Sequence, residues 1–265
     1  MKILVPIKQV PETSNVKMDP ETGTMLRAGV ETVVNPLDLY AIEAALGLRE
    51  ARGGVVIALT MGPPPAQKAL REAIAMGCDD AILVSDRKFG GADTWATSYT
   101  LAQAIRAYGE FDVIVTGERA TDGDTAQVGP GIAAWLGVPV ATYVAKIHEV
   151  TATSLRLERL VEEGYQILEL PRPAVITVVK EIAAPRLPTL RGKKRAKALD
   201  IPLYSTENME LDPTALGLKG SPTRVVKIQT PKVTRGGQVV RAGDQKSVTS
   251  AVDQLFEFLR QKELV

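Results

Sequence analysis

The chain has 265 residues, 45% hydrophobic and 24% charged, enough for one well-buried core with a smaller appendage. A formal net charge of +1 gives no electrostatic ground for binding nucleic acid or an anionic membrane surface. The single cysteine, Cys78, excludes an internal disulfide, and no apolar run reaches the roughly 20 residues of a spanning helix, so a soluble cytoplasmic protein is expected.

Residues 1–7 are too short for a signal peptide and read as a first strand. Up to about residue 140, strand and helix alternate, with apolar runs of buried-strand length at 3–7, 55–60, 81–84 and 113–116. Asn35-Pro36-Leu37-Asp38 starts a helix: Asn35 at the N-cap, Pro36 at the first helical position, an acid in the first turn. Leu39, Ile42 and Leu46 follow on one face. A second helix runs from about residue 66 to 76 and stops at Gly77. A third begins near Asp93, carries Trp95, Tyr99, Ala102 and Ile105 as its stripe, and ends at Gly109. This repetition predicts an α/β fold, a mostly parallel sheet with helices on both faces.

Residues 144–150, 154–160 and 165–170 read as extended, with Glu162-Glu163-Gly164 as a hairpin turn, and 174–179 as a further strand. The proline-rich basic stretch 185–195 reads as an exposed loop. Residues 200–245 lack periodicity, and a final helix is predicted from about Ser247, with Val248, Val252, Leu255 and Leu259 on one side. The domain reading is a nucleotide-binding α/β domain over 1–185, a loop over 186–198, and a C-terminal arm over 199–265. Pattern alone leaves open whether the arm packs on a partner or folds back on its own domain.

In an open parallel sheet, ligands bind beyond the carboxyl ends of the strands. Residues 6–9, 61–63 and 117–130 fall there. The last of these is rich in Gly, Asp and Thr and leads into an apolar helix over 132–136. Backbone N–H groups around 125–128 suit a phosphate, and Asp122 and Asp124 suit ribose hydroxyls or a cation. A plain turn followed by an N-cap accounts for the same residues. The dinucleotide fingerprint G-x-G-x-x-G and the P-loop are both absent. His148 has no neighbouring metal ligands, and satisfied packing is expected for it. Cys78 follows a helix C-terminus, which disfavours a thiolate. No catalytic residue is assigned, so redox work would fall to a bound cofactor. In the basic stretch, Leu187 and Leu190 sit among prolines, Arg191 and lysines, which suits docking of an acidic partner as well as a solvated charge run.

Together these segments resemble the beta subunits of electron-transferring flavoproteins. The resemblance runs from Lys2-Ile3-Leu4-Val5-Pro6-Ile7-Lys8-Gln9-Val10-Pro11 to the final helix. It includes Asn35-Pro36-Leu37-Asp38, Met61-Gly62-Pro63, Ala73-Ile74-Ala75-Met76-Gly77, the 122–130 loop and the 185–197 stretch. It implies a heterodimer with an alpha subunit that carries a shuttling FAD, and either structural AMP or a second FAD in this subunit. The resemblance implies that Pro6, Asn35, Pro36, Leu37, Asp38 and Met61 line the nucleotide. With them come Gly117, Arg119, Ala120, Thr121, Asp122, Gly123, Asp124, Thr125, Ala126, Gln127 and Val128. It implies that Leu190, beside Leu187 and Arg191, centres a loop that docks partner dehydrogenases, and that the segment near Thr13 approaches the alpha-subunit flavin.

Asp122-Gly123-Asp124-Thr125-Ala126-Gln127-Val128 and Leu39-Tyr40 resemble the flavin-bifurcating branch, whose beta subunit binds FAD. AMP-binding members carry a second Asp where Gly123 stands, bulkier residues after it, and in some a cysteine for Met61. Gly123, Ala126 and Gly129 are expected to leave room for an isoalloxazine and its pyrophosphate. In that branch NADH gives a hydride to the beta-site flavin. One electron passes through the alpha subunit to an acyl-CoA-type dehydrogenase and the other to ferredoxin or flavodoxin. Asp122, Asp124, Thr125 and Gln127 are then expected at the cofactor, with Arg119 neutralising pyrophosphate. The rivals are a conventional carrier from acyl-CoA dehydrogenases with AMP in this subunit, and a non-redox adenine-nucleotide-binding protein.

Overall fold

The structure, a computed structural model, describes residues 1–12, 31–226 and 239–265. Thr13 lies outside the described residues. The chain divides into two compact units, 1–227 and 228–265.

In the first unit, β1 (Lys2–Pro6) is followed by β2 (Gln9–Pro11) and β3 (Thr32–Val34), which pair antiparallel in a separate small sheet. Then α1 (Pro36–Arg52), β4 (Val55–Met61), α2 (Gln67–Met76), β5 (Asp80–Val84), α3 (Thr94–Tyr108), β6 (Val113–Gly117) and α4 (Val128–Leu136) alternate. β7 (Val140–Val150), β8 (Ser154–Val161) and β9 (Gly164–Pro171) form an antiparallel meander, and β10 (Ala174–Val178), α5 (Leu190–Ala198), β11 (Leu203–Tyr204) and α6 (Gly217–Gly220) follow. The large sheet has the order β11-β5-β4-β1-β6-β10-β7-β8-β9, parallel from β11 to β7. The predicted α/β class and mostly parallel sheet are what is found.

Side chains alternate across the sheet, and each parity meets its own helix layer. Ile3 and Val5 of β1 pack with Ile42 and Leu46 of α1 and Leu70 and Ile74 of α2. Leu4 points the other way, to Leu101 and Ile105 of α3 and Ile132 of α4. The central strands are therefore apolar on both faces, and each fully buried Leu or Ile contributes about 1.5–3 kcal/mol. Within the stretch read as an arm, Met209, Ala215 and Leu216 join the second layer, and Asp212 N–H donates to the Tyr99 hydroxyl at 2.7 Å.

Several local expectations change. The 185–195 stretch is not all loop: from Leu190 it is helical, capped by the Thr189 hydroxyl, which accepts from Gly192 N–H at 2.9 Å. Only Ala196 of that helix is buried, so it shows no apolar period to read. Trp95 is 41% exposed rather than part of the buried stripe, and rests edge-on against Trp135 with ring centres 5.0 Å apart. The apolar helix expected from 132 begins at Val128.

In the second unit, α7 (Gln245–Gln261) opens with a capping box between Asp244 and Ser247, two residues earlier than predicted. None of its residues is buried, and Val248, Val252 and Leu255 are exposed.

Candidate functional site

The chain leaves β1 through α1 to build β4 and β5 on one side, then crosses back through α3 to place β6 on the other. The strand order therefore reverses between β1 and β6, which is where an open α/β sheet leaves a crevice beyond its carboxyl ends. Pro6, Met61 and Gly117 end the neighbouring strands β1, β4 and β6, so these sequence-predicted positions are brought to one edge.

Behind the crevice stands the start of α1. Asn35 occupies the N-cap position, but its side chain makes no capping bond, contrary to the sequence expectation. It is fully buried, and its amide serves the 117–128 loop instead: Nδ2 donates to the Arg119 carbonyl at 2.9 Å, and Oδ1 accepts from Thr121 N–H at 3.1 Å. The Asp38 N–H that a side-chain cap would serve donates instead to the Asn35 backbone carbonyl at 2.9 Å, which frees the amide for the loop. Asp38 is buried beside it and accepts from Lys8 N–H at 2.7 Å. Burial pushes its carboxyl up to about 7, against the opposing pull of Lys8 and Asn35. Gly117 fits here because it has no Cβ: one would lie 2.5 Å from Asp38 Oδ1 and 2.9 Å from the Leu37 carbonyl. Leu37 thus meets the end of β6 through its backbone, with Pro36 before it as the first residue of α1.

The loop is held in ion pairs. Lys8 Nζ meets Asp122 at 2.6 Å, and Arg119 Nε meets Asp124 at 3.1 Å and Glu118 at 3.4 Å. Lys8 finds this partner 114 residues along the chain, a pairing that its place among residues 6–9 does not announce. Arg119, expected to neutralise a pyrophosphate, is engaged by two carboxylates. Asp124 and Ala126 take left-handed backbone conformations, φ 52° and 54°, so the chain turns sharply twice before α4. Ala120 is joined to that turn, its carbonyl accepting from Asp124 N–H at 2.8 Å. Gln127 is tied to the start of α3, where the Thr94 hydroxyl donates to its Oε1 at 2.9 Å.

The N–H groups of Thr125, Ala126, Gln127 and Val128 meet no acceptor among the described residues. They lie at the positive end of a nine-residue helix, which suits an anionic group. A Cβ at Gly123 would have open space around it. Gly129 does not leave ligand room as expected: its missing Cβ would strike Thr177 Cγ2 at 2.6 Å and Thr116 Oγ1 at 2.9 Å, so the first turn of α4 rests on β10 and β6.

Elsewhere, burial pushes the Cys78 thiol up to about 12, which leaves it inert near neutrality. His148 pairs with Glu158 at 3.0 Å across β7 and β8. Leu187 and Leu190 are 85% and 87% exposed, with Arg191 exposed beside them. No helix among the described residues is long and apolar enough to cross a membrane.

Residues 22–204 match the electron transfer flavoprotein domain. The chain is 44% identical over 256 residues to the electron transfer flavoprotein subunit beta of Thermoanaerobacterium thermosaccharolyticum, covering 96% of this chain and 98% of that one. It is 46% identical over 272 residues to the subunit of the same name from Megasphaera elsdenii, covering all of both. It is 43% identical over 266 residues, again end to end, to the caffeyl-CoA reductase-Etf complex subunit CarD of Acetobacterium woodii.

Proposed function

The chain belongs to the electron transfer flavoprotein family as a beta-type subunit, and from that premise we propose that it binds FAD in the crevice between β1 and β6. With an alpha subunit it carries electrons from NADH to an acyl-CoA-type dehydrogenase and to ferredoxin or flavodoxin. A flavin bound there would supply the redox chemistry, hydride acceptance and single-electron release, while the residues of the crevice hold and orient it.

The observation that carries this reading is the run of four N–H groups, Thr125 to Val128, that meet no acceptor among the described residues, at the start of α4 and next to the open position at Gly123. Those amides hold the diphosphate. Asp122 and Asp124 keep carboxylate oxygens beyond their ion pairs for ribose hydroxyls. Asn35 and Asp38 act from behind, fixing the loop. Leu187, Leu190 and Arg191 form the docking surface for the dehydrogenase, the leucines as anchors and the charge as guide. The name of the Acetobacterium relative, a subunit in a reductase complex acting on a CoA ester, supports a dehydrogenase of that type as partner.

One observation favours structural AMP instead: Lys8 and Arg119, the cations of the crevice, are already paired with carboxylates, which leaves less positive charge for a second phosphate. Nucleotide content separates the two. Acid extraction of the heterodimer should release FAD at close to two per heterodimer and no AMP; equal amounts of FAD and AMP would reject the FAD reading.

A further inference from the structure

Arg186 heads the segment that carries Leu187 and Leu190, yet its charge is fully engaged. Nε and Nη2 donate to the two oxygens of Glu43 at 2.9 and 2.8 Å, and the backbone N–H donates to Glu43 Oε2 at 3.0 Å. Nη1 and Nη2 donate to the two oxygens of Glu50 at 2.6 and 3.2 Å. Glu43 and Glu50 lie seven residues apart on α1, two helical turns, so both face the same way. Hydrogen bonds from Arg186 hold both carboxyls below the usual range. A planar guanidinium is the side chain that can grip two carboxylates at once; an ammonium cannot match that fork.

The other end of the segment is fixed as well. Thr189 N–H donates to the Ala75 carbonyl at 3.1 Å, and a Cβ at Gly192 would lie 2.1 Å from that oxygen, so α5 sits hard against α2. Arg71 reaches the Ala196 carbonyl, and Arg195 the Asp79 carbonyl. Between these anchor points, Leu187 and Leu190 stand out in solvent. The exposed Arg191, Lys193, Lys194 and Lys197 remain to attract an acidic partner.

We infer that Arg186 is a positioning residue for partner docking: its clamp on Glu43 and Glu50 holds Leu187 and Leu190 ready for an apolar pocket, and its own charge takes no part in steering. The inference rests on the docking reading above. A surface ordered before encounter loses less conformational freedom on binding, so the clamp acts on affinity, whereas steering charges act on association rate and its salt dependence.

The test measures binding of the intact heterodimer to an immobilised purified acyl-CoA dehydrogenase, with rates at several ionic strengths. The double variant Arg186→Gln/Glu43→Gln removes the clamp and leaves the formal charge unchanged. Its Kd should rise about tenfold, with bound nucleotide and the ionic-strength slope of association as in wild type. In the Leu190→Ala background the same clamp variant should cost less than about a further threefold, because order matters less once that anchor is gone. Wild-type affinity, a changed slope, or fully additive losses would each overturn the clamp. Should the double variant fail to assemble, Arg186→Lys keeps the charge without the fork and should weaken binding about threefold or more; wild-type binding by it overturns the clamp equally. If Leu190→Ala itself binds as wild type, the docking reading falls and the clamp with it. If Leu190→Ala weakens binding and the clamp variants do not, only the clamp is wrong.

Discussion

Gly117→Ala is expected to abolish binding of the nucleotide proposed for this subunit and to destabilise the heterodimer by about 1–3 kcal/mol, more if the loop detaches. The added Cβ lands 2.5 Å from Asp38 Oδ1 and 2.9 Å from the Leu37 backbone. Neither side can retreat freely. β6 is paired in register with β10 along its length and with β1 at Val113 and Ile114. The start of α1 is pinned by Asn35 N–H to the Lys8 carbonyl at 2.8 Å and by the Asn35 amide to the loop. Relief therefore requires breaking bonds to buried polar groups, each worth about 1–3 kcal/mol when left unpaired. Urea midpoint and extracted nucleotide read the outcome together. Wild-type values for both would mean that the start of α1 shifts without consequence for the loop.

The second large effect is a pH dependence carried by Asp38. Its folded pKa is raised from 3.8 to about 7, chiefly by desolvation. Between those values the native protein keeps a proton that the unfolded chain has released, so this group's contribution to stability is complete below about 4 and is lost as pH rises to about 7. At roughly 1.4 kcal/mol per unit, the shift bounds the effect at about 4 kcal/mol. Asp38→Asn cannot ionise, and any fixed loss from the altered hydrogen bonds is the same at every pH. Urea unfolding of wild type and Asp38→Asn heterodimers should therefore give a stability difference that moves in favour of Asn as pH rises from 5 to 8. A difference independent of pH would mean that Lys8 and the surrounding N–H groups keep Asp38 ionised throughout.

The scaffold was legible because its signals are local. Strands buried on both faces read as unbroken apolar runs, and Gly77 and Gly109 mark helix ends by backbone conformations that side chains resist, φ 136° and 109°. The 117–128 loop was found through its composition and through the rule that fixes where an open sheet binds ligands. Features that depend on distant partners were not legible. Nothing beside Lys8 foretells Asp122, and an N-cap asparagine looks the same whether its amide caps the helix or holds a loop 84 residues away. Gly129 reads as spare room until Thr177 and Thr116 are seen against it. α5 carries Lys and Arg at most positions, and its helix is secured by contacts with α2 that no period in its own sequence records.

An anaerobic titration of the purified heterodimer with NADH, followed in the visible flavin band, separates a flavin in this subunit from structural AMP. If this subunit holds the proposed FAD, NADH should bleach two flavins in wild type, and Gly117→Ala should retain only one flavin and lose the response to NADH. A wild-type heterodimer with a single flavin that NADH leaves oxidised would contradict the FAD reading, and this subunit would then hold AMP as part of its structure.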